Sequence, residues 1–327
     1  MQGPPALRPL RRGRRAPSPE APVDNATPAS PGEQGQGPRR TGRTALGCVA
    51  VDEPFPVLWS GAGLLAIDKP PGLPVIPARD GDPAACVRRR LEAALGERLW
   101  VVHRLDRDTS GVLLLARNAE AHRAASTAFE RHEVRKWYLA FTRGAPEHPS
   151  GTLGIPLHHA RKGKMRPAAP GEPGALPART EYDVLRRWSP PAVPVALVEV
   201  RPRTGRQHQV RVHLRSAGAP LLVDPLYGGA SRVTASDLGL EGDDLLVARL
   251  TLHAWRLEFV PPGGSQAVRV EAPLPADLAR LAARLDAGSS GAALSAPDAI
   301  LRPQGARDPG DPQGSGESAG VGTAEKR

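Results

Sequence analysis

The feature that most limits the fold is the contrast between a patterned middle and two unpatterned ends. Residues 1–46 carry nine prolines and six glycines, few large apolar side chains and no hydrophobic periodicity. Residues 288–327 are similarly rich in Gly, Pro, Ser and Ala. Segments of this composition bury too little apolar surface to offset the entropy lost on ordering. We therefore predict two disordered tails on either side of one folded domain at residues 47–287.

Strand and helix patterns mix within this domain without a regular β–α–β alternation. Val87 and Leu91 repeat at four-residue spacing within residues 83–95, which predicts a helix. Asn118 is a suitable N-cap for a second helix that runs to about Glu130. This mixture predicts an α+β fold with a mixed, largely antiparallel sheet and flanking helices. The predicted strands are 63–68, 99–102, 111–116, 136–141, 195–200, 250–259 and 267–271, and a last helix is predicted near 275–285.

The charge balance favours a polyanionic partner. The chain has a net charge of +10, and arginines outnumber acidic residues eight to three in residues 1–46. Each Lys or Arg placed on a phosphate releases condensed counterions, so a basic surface favours nucleic acid. A basic protein with a solvated surface is the alternative, and the basic tail at 1–46 is either a non-specific RNA-binding arm or a plain tail.

Cysteine usage and hydropathy predict the compartment. Cys48 and Cys86 are the only cysteines, which fits a reducing cytoplasm and excludes a cysteine-rich zinc site. No apolar stretch approaches the roughly 20 residues of a membrane span, and the N-terminus lacks a signal-peptide pattern. We therefore predict a cytoplasmic protein without a membrane partner.

The segment from His103 to Gly111 contains the first candidate catalytic group. Asp106 stands two residues from both Arg104 and Asp108, and in an extended chain it would share a face with both. Taken alone, this spacing also fits an ordinary polar loop with ion pairs.

The whole string of residues from His103 to Gly111 is more informative about function than the spacing of its charged residues. His-Arg-Leu-Asp-x-x-Thr-Ser-Gly, followed by the apolar run 112–116, resembles the signature of the RluA-type RNA pseudouridine synthases. Four further segments resemble the same family in the same order and extend the likeness over about residues 55–260. They are Asp68–Val75, Lys136–Ala140, Thr204–Leu214 and the set Gly218, Asp224, Tyr227 and Gly228.

The resemblance implies the pseudouridine synthase fold for the catalytic domain at 47–287, and the isomerisation of specific uridines in structured RNA. It implies that Asp106 is the catalytic carboxylate and that Tyr138 contacts the base and assists proton removal. It also implies that Arg211 forms an ion pair with the aspartate. No cofactor or metal is implied, because the reaction is an isomerisation without redox change.

Four further residues are predicted to bind RNA. Arg104 matches the family arginine that is associated with RNA and with the space vacated by the target base. Lys69, at a strand end, is predicted to be a phosphate contact. Arg206 and His208 belong to the Thr204–Leu214 segment and are predicted contacts as well.

Residues 204–218 fit either a strand or a helix. We prefer a helix, in which Gly205 helps a tight N-terminal turn and Gly218 and Pro220 end it. His208 and His213 are five residues apart, so neither conformation makes them a chelating pair. The adjacent His158 and His159 diverge as well, and no metal site is predicted.

Two other functions remain open at this point. The chain could be an inactive RNA-binding or ribosome-assembly protein that keeps the fold. It could also be a glycoside hydrolase that uses Asp106 and Asp108, although such carboxylate pairs usually come from different elements. Whether the RNA is ribosomal or transfer RNA is not readable from the sequence, and we predict a monomer.

Overall fold

A computed structural model describes residues 54–77 and 82–288. The predicted tail at 1–46 lies outside the described residues, as does the predicted tail at 288–327 apart from Gly288, so the bounds of the domain stay a prediction. No helix in the described ranges is long and apolar enough to cross a membrane.

The described residues form an α+β fold, as predicted, with four helices and a large sheet. The helices are α1 (Val87–Leu95), α2 (Ala119–Glu130), α3 (Gln209–Ser216) and α4 (Ala276–Gly288). The strands are β1 (Val57–Gly61), β2 (Leu64–Lys69), β3 (Trp100–Val101), β4 (Ser110–Ala116), β5 (Arg135–Arg143), β6 (Ser150–Leu153), β7 (Leu157–His159), β8 (Met165–Pro167), β9 (Thr180–Trp188), β10 (Val195–Pro202), β11 (Val233–Thr234), β12 (Leu245–Val247), β13 (Leu252–Phe259) and β14 (Val268–Glu271).

Ten of these strands form one mixed sheet. Its main path runs β1-β2-β4-β13-β5-β10-β9-β6, while β14 pairs with β13 and β3 pairs with β4. The β4–β13 pair is parallel and the other pairs are antiparallel. The prediction of a mixed, largely antiparallel sheet is therefore confirmed.

Helices cover both faces of the sheet. On β5, Leu139 and Phe141 pack with the apolar side of α4, whereas Tyr138 and Ala140 face the cluster that contains Val210 of α3. The odd-numbered and even-numbered side chains of β5 thus point to opposite faces of the sheet, as the alternation of a strand requires. Tyr138 also packs against the cluster formed by α1, so α1 and α3 lie on the Tyr138 face.

Local sequence signals explain where the helices begin. The Asn118 side chain accepts a hydrogen bond from the backbone N–H of Ala121 at 2.8 Å, which is the predicted cap of α2. The first helix is shorter than the predicted range 83–95, because it begins at Val87. Cys86 precedes it with an extended backbone (φ −144°, ψ 158°) and acts as its N-cap.

Gly111 fixes the junction between the catalytic motif and the sheet. Its φ is +110°, and a Cβ atom there would lie 2.1 Å from the carbonyl oxygen of Ala254 on the neighbouring β13. We expect Gly111→Ala to lower the free energy of unfolding by about 3 kcal/mol or more, because the backbones of two central strands must separate. Thermal or urea unfolding measures this loss.

Gly96 provides the matched control. It also has a positive φ of +65°, but a Cβ atom there would meet nothing within 4 Å. Gly96→Ala should therefore cost only the left-handed backbone strain, about 1 kcal/mol. Equal losses in the two variants would contradict the steric explanation.

Candidate active site

A cavity of about 1060 Å³ opens on the Tyr138 face of the sheet. Several parts of the chain line it, and three of them carry the candidate site residues. They are the loop at residues 102–109, the first half of β5, and the segment that leads into α3.

The loop at 102–109 presents Asp106 to the cavity. Its start is fixed where the backbone N–H of Leu114 donates to His103 Nε2 at 2.9 Å. Its end is closed where the N–H of Thr109 donates to the carbonyl of Asp106 at 3.1 Å. The chain thus turns at residues 107–108, directly after Asp106, so the extended chain assumed from Asp106 to Asp108 is not formed, and Asp108 pairs with Arg107 instead. Arg104 lines the same cavity as Asp106 without forming an ion pair with it.

Arg211 is the ion-pair partner of Asp106. Its Nη1 donates to Asp106 Oδ2 at 2.9 Å, while Nε and Nη2 donate to the two oxygens of Asp224 at 2.9 and 2.7 Å. The Asp224 side chain is 3% exposed and that of Asp106 is 26% exposed. The buried Asp224 therefore holds the guanidinium in place, and Asp106 remains accessible from the cavity.

An aromatic and an imidazole ring complete this cluster. The Arg211 guanidinium lies 5.0 Å from the centre of the Tyr227 ring. The Tyr227 hydroxyl accepts from the N–H of Met165 at 2.8 Å and lies 2.9 Å from His208 Nδ1. His208 Nε2 lies 3.9 Å from Asp106 Oδ2, which is beyond hydrogen-bond distance.

Burial favours the neutral forms of the two rings beside the Asp106–Arg211 ion pair. Burial raises the pKa of Tyr138, and the negative charge of Asp106 raises it further. Burial lowers the pKa of His208 more strongly than the Asp106 charge raises it. Tyr138 therefore keeps its proton at neutral pH, and this favours its predicted contact with the base over a role as proton acceptor.

Comparisons with known proteins agree with this geometry. Residues 63–216 match the family described as RNA pseudouridylate synthase. A Zymomonas mobilis protein named as an uncharacterized RNA pseudouridine synthase is 36% identical over 222 residues, which cover 67% of this chain and 93% of that protein. The chain belongs to the RNA pseudouridine synthase family. The ribosomal large subunit pseudouridine synthase D of Xanthomonas campestris is 35% identical over 74% of this chain and 72% of its own length.

Solved structures of the family have the same fold. Human RNA pseudouridylate synthase domain containing 1 superimposes with a TM-score of 0.58 and 25% identity, over 76% of this chain and 94% of its own. Human RNA pseudouridylate synthase domain containing 4 gives a TM-score of 0.54 and 27% identity, over 71% and 93%. The sequence-based assignments of family, fold and RNA pseudouridine synthase activity are thus confirmed.

Lys69 is not placed as an RNA contact, and this expectation is wrong. Its side chain has no exposed surface. Its ammonium donates to the carbonyl oxygens of Pro70, Leu73 and Arg107 at 2.7, 2.8 and 2.9 Å. Because three carbonyls satisfy the buried charge, Lys69 instead ties the end of β2 to the loop that carries Asp106.

Arg104 and Arg206 lie at the open side of the pseudouridine synthase cavity. Both are exposed and both line it. Arg206 Nε donates to the carbonyl of Pro177 at 3.1 Å, whereas Arg104 has no ion-pair partner among the described residues. Their position is compatible with phosphate contacts, which stay a prediction.

The turn into α3 differs from the prediction. Gly205 does not take a positive φ; His208 does, at 53°. The Gln209 side chain closes the turn by accepting from Thr204 Oγ1 at 2.7 Å and from the N–H of Arg206 at 3.0 Å. This turn directs the His208 ring towards Asp106, so His208 is part of the aspartate's surroundings as well as a candidate RNA contact.

His208, just before α3, and His213, within α3, have separate partners. His213 is fully buried between Thr180 Oγ1 at 2.8 Å and the carbonyl of Ile155 at 2.9 Å, while His208 pairs with Tyr227. Within residues 54–77 and 82–288, no three His, Cys, Asp or Glu side chains are grouped so that they could hold a metal ion.

Asp224 was the main omission of the sequence analysis. It was noted as part of the resemblance but was given no role, because nothing in its local sequence indicates a partner 13 residues upstream. The Asp-x-x-Tyr spacing was the available signal, since Asp224 and Tyr227 both contact Arg211.

Proposed function

We propose that this pseudouridine synthase modifies uridines in the RNA of the large ribosomal subunit, with Asp106 as its catalytic carboxylate. The observation that carries the role of Asp106 is its 2.9 Å bond to Arg211 in a cavity that also contains Tyr138. The choice of RNA is supported by relatives named ribosomal large subunit pseudouridine synthase D, at 31–35% identity.

The reaction breaks the N1–C1′ bond of uridine, turns the uracil, and joins C5 to C1′. The proton lost from C5 is balanced by one gained at N1, so the product is an isomer. Asp106 begins the reaction either by attack on C1′ or by removal of a sugar proton. Both routes need an ionised carboxylate, and the guanidinium of Arg211 stabilises that charge.

The target nucleotide must leave its stack before Asp106 can reach the sugar. Unstacking costs a few kcal/mol, which phosphate contacts elsewhere on the protein must offset. Arg104 and Arg206 lie at the opening of the cavity, where they would meet the backbone of the RNA. We assign them this role, while Tyr138 packs against the uracil with its hydroxyl protonated.

The proposed substrate agrees with the remaining sequence-based expectations. We expect the enzyme in the cytoplasm, where it would meet a ribosomal RNA substrate, and a cavity that takes Asp106, Tyr138 and Arg211 from one chain is compatible with action as a monomer. An inactive RNA-binding protein would not need Asp106 held by Arg211 and open to a cavity, so the alternative finds no support here.

Tritium release tests the choice of RNA. Large-subunit ribosomal RNA, small-subunit ribosomal RNA and transfer RNA are transcribed with [5-³H]uridine and incubated with the full chain. We expect release from the large-subunit RNA alone, at a stoichiometry that corresponds to a few sites. Faster release from transfer RNA would contradict the proposed substrate but would still show pseudouridine synthase activity.

A further inference from the structure

Lys136 lies where the active-site cavity meets a second, smaller one. The second cavity has a volume of about 230 Å³ and is lined by the start of β5, the end of β10 and the turn before β5. His132, Lys136 and Pro202 line both cavities. An RNA strand that extends from one cavity into the other would therefore run beside the Lys136 side chain.

Lys136 differs from its basic neighbours because it has no partner. Arg203 pairs with Glu181 at 2.7 Å and Arg135 pairs with Glu258 at 3.1 Å. Within the described ranges, Lys136 makes no hydrogen bond or ion pair, and Glu130 lines the main cavity without pairing with it. The second cavity thus contains one cation that is not neutralised by a carboxylate.

Its surroundings leave this ammonium partly dehydrated. Burial lowers the pKa of Lys136 to about 8, and no nearby carboxylate opposes the shift. A buried cation without a partner is costly, so an anion that enters the cavity would recover part of the lost solvation.

β5 sets the distance from this ammonium to the reacting base. Lys136 stands two residues before Tyr138, so the two side chains share a face and their Cα atoms are about 7 Å apart. The Lys136 Nζ atom lies 3.9 Å from the point where a Cβ atom on Gly205 would be. An anion at Lys136 would therefore lie beside the uracil position and against the loop that leads into α3.

We propose that Lys136 and the second cavity form a subsite for the phosphodiester next to the target uridine. The subsite holds the RNA strand where it leaves the active site, and it takes a phosphate because the ligand of this enzyme is RNA. This inference depends on the proposed function only because it takes RNA as the ligand. Lys136 is a positioning residue, since it binds the backbone rather than the reacting atoms.

Salt dependence of binding gives the direct test. The probe is a fluorescein-labelled oligouridylate, titrated by anisotropy at pH 7 over a range of NaCl concentrations. We expect Lys136→Met to weaken binding by about tenfold and to reduce the slope of log K against log [NaCl] by about 0.7, the value for one phosphate on a single strand. Lys136→Arg should restore both.

Arg280→Met is the matched control. Arg280 is an exposed residue of α4, which packs on the opposite face of the sheet. This variant removes one positive charge far from the cavity, so it should keep the wild-type slope. A wild-type slope in Lys136→Met, or an equal loss in Arg280→Met, would overturn the proposal.

Gly205 provides a second test that does not need a change at Lys136. Gly205→Asp places a carboxylate within reach of the ammonium, so an internal ion pair should displace the phosphate and lower oligouridylate affinity by about tenfold. Gly205→Asn has the same shape without the charge, so it should bind clearly more tightly than Gly205→Asp. Equal binding by the two variants would overturn the proposal even if Lys136→Met failed to fold.

The two proposals fail separately. The anisotropy experiment needs no turnover, so it detects the subsite even if no tested RNA is modified. Where turnover is measurable, Lys136→Met should raise KM and leave kcat nearly unchanged. A lower kcat with an unchanged KM would place Lys136 in the chemistry instead and overturn its role as a backbone contact.

Discussion

Asp106→Asn is expected to abolish tritium release from [5-³H]uridine-labelled RNA while RNA affinity stays close to that of the wild type. An amide oxygen is a poor nucleophile and a poor base, so neither route into the reaction remains open. The fold should tolerate the change, because Arg211 keeps both of its bonds to Asp224. Single-turnover release and anisotropy, measured on the same preparation, separate chemistry from binding.

Asp108→Asn is the matched control in the same loop. Its carboxylate pairs with the exposed Arg107 at 3.1 Å and its side chain is 38% exposed, so an amide there should change turnover little. Full turnover in Asp106→Asn would remove the residue from the reaction. An equal loss in both variants would show that the loop, rather than one carboxylate, had been disturbed.

Much of this site could be predicted because its signals are local. The motif around Asp106 is one continuous string, and the apolar run after it is β4. Strand alternation in residues 136–141 predicts that Tyr138 faces away from Trp137 and Leu139, and the structure has this arrangement. The cap at Asn118 likewise depends on a bond to a residue only three positions away.

The parts that sequence analysis missed depend on distant partners. Lys69 was expected to contact a phosphate, but its ammonium is buried and one of its three carbonyl partners lies 38 residues away in the sequence. The strand β9 was not predicted, although Tyr182 and Val184 alternate with Glu181 and Asp183. The charged side chains on one face of β9 are stabilised there by ion pairs with Arg201 of the neighbouring strand β10.

Arg211 links Asp106 of the loop at 102–109 to the buried Asp224. Its removal should therefore lower both turnover and stability strongly. We expect Arg211→Met to reduce kcat by at least two orders of magnitude, because Asp106 loses the charge that stabilises its ionised form. Stability should fall by about 3–5 kcal/mol, since Asp224 remains as a buried carboxylate without its partner. Stopped tritium-release assays and urea unfolding measure the two effects.

A double variant separates these two effects. Arg211→Met with Asp224→Asn removes the unpaired buried charge, so the free energy of unfolding should recover in large part. Turnover should not recover, because Asp106 still lacks a cation. If turnover rose together with stability, Arg211 would act only by holding the fold, and its direct bond to Asp106 would have no catalytic role. If stability alone recovers, the 2.9 Å bond between Arg211 and Asp106 is required for the reaction itself.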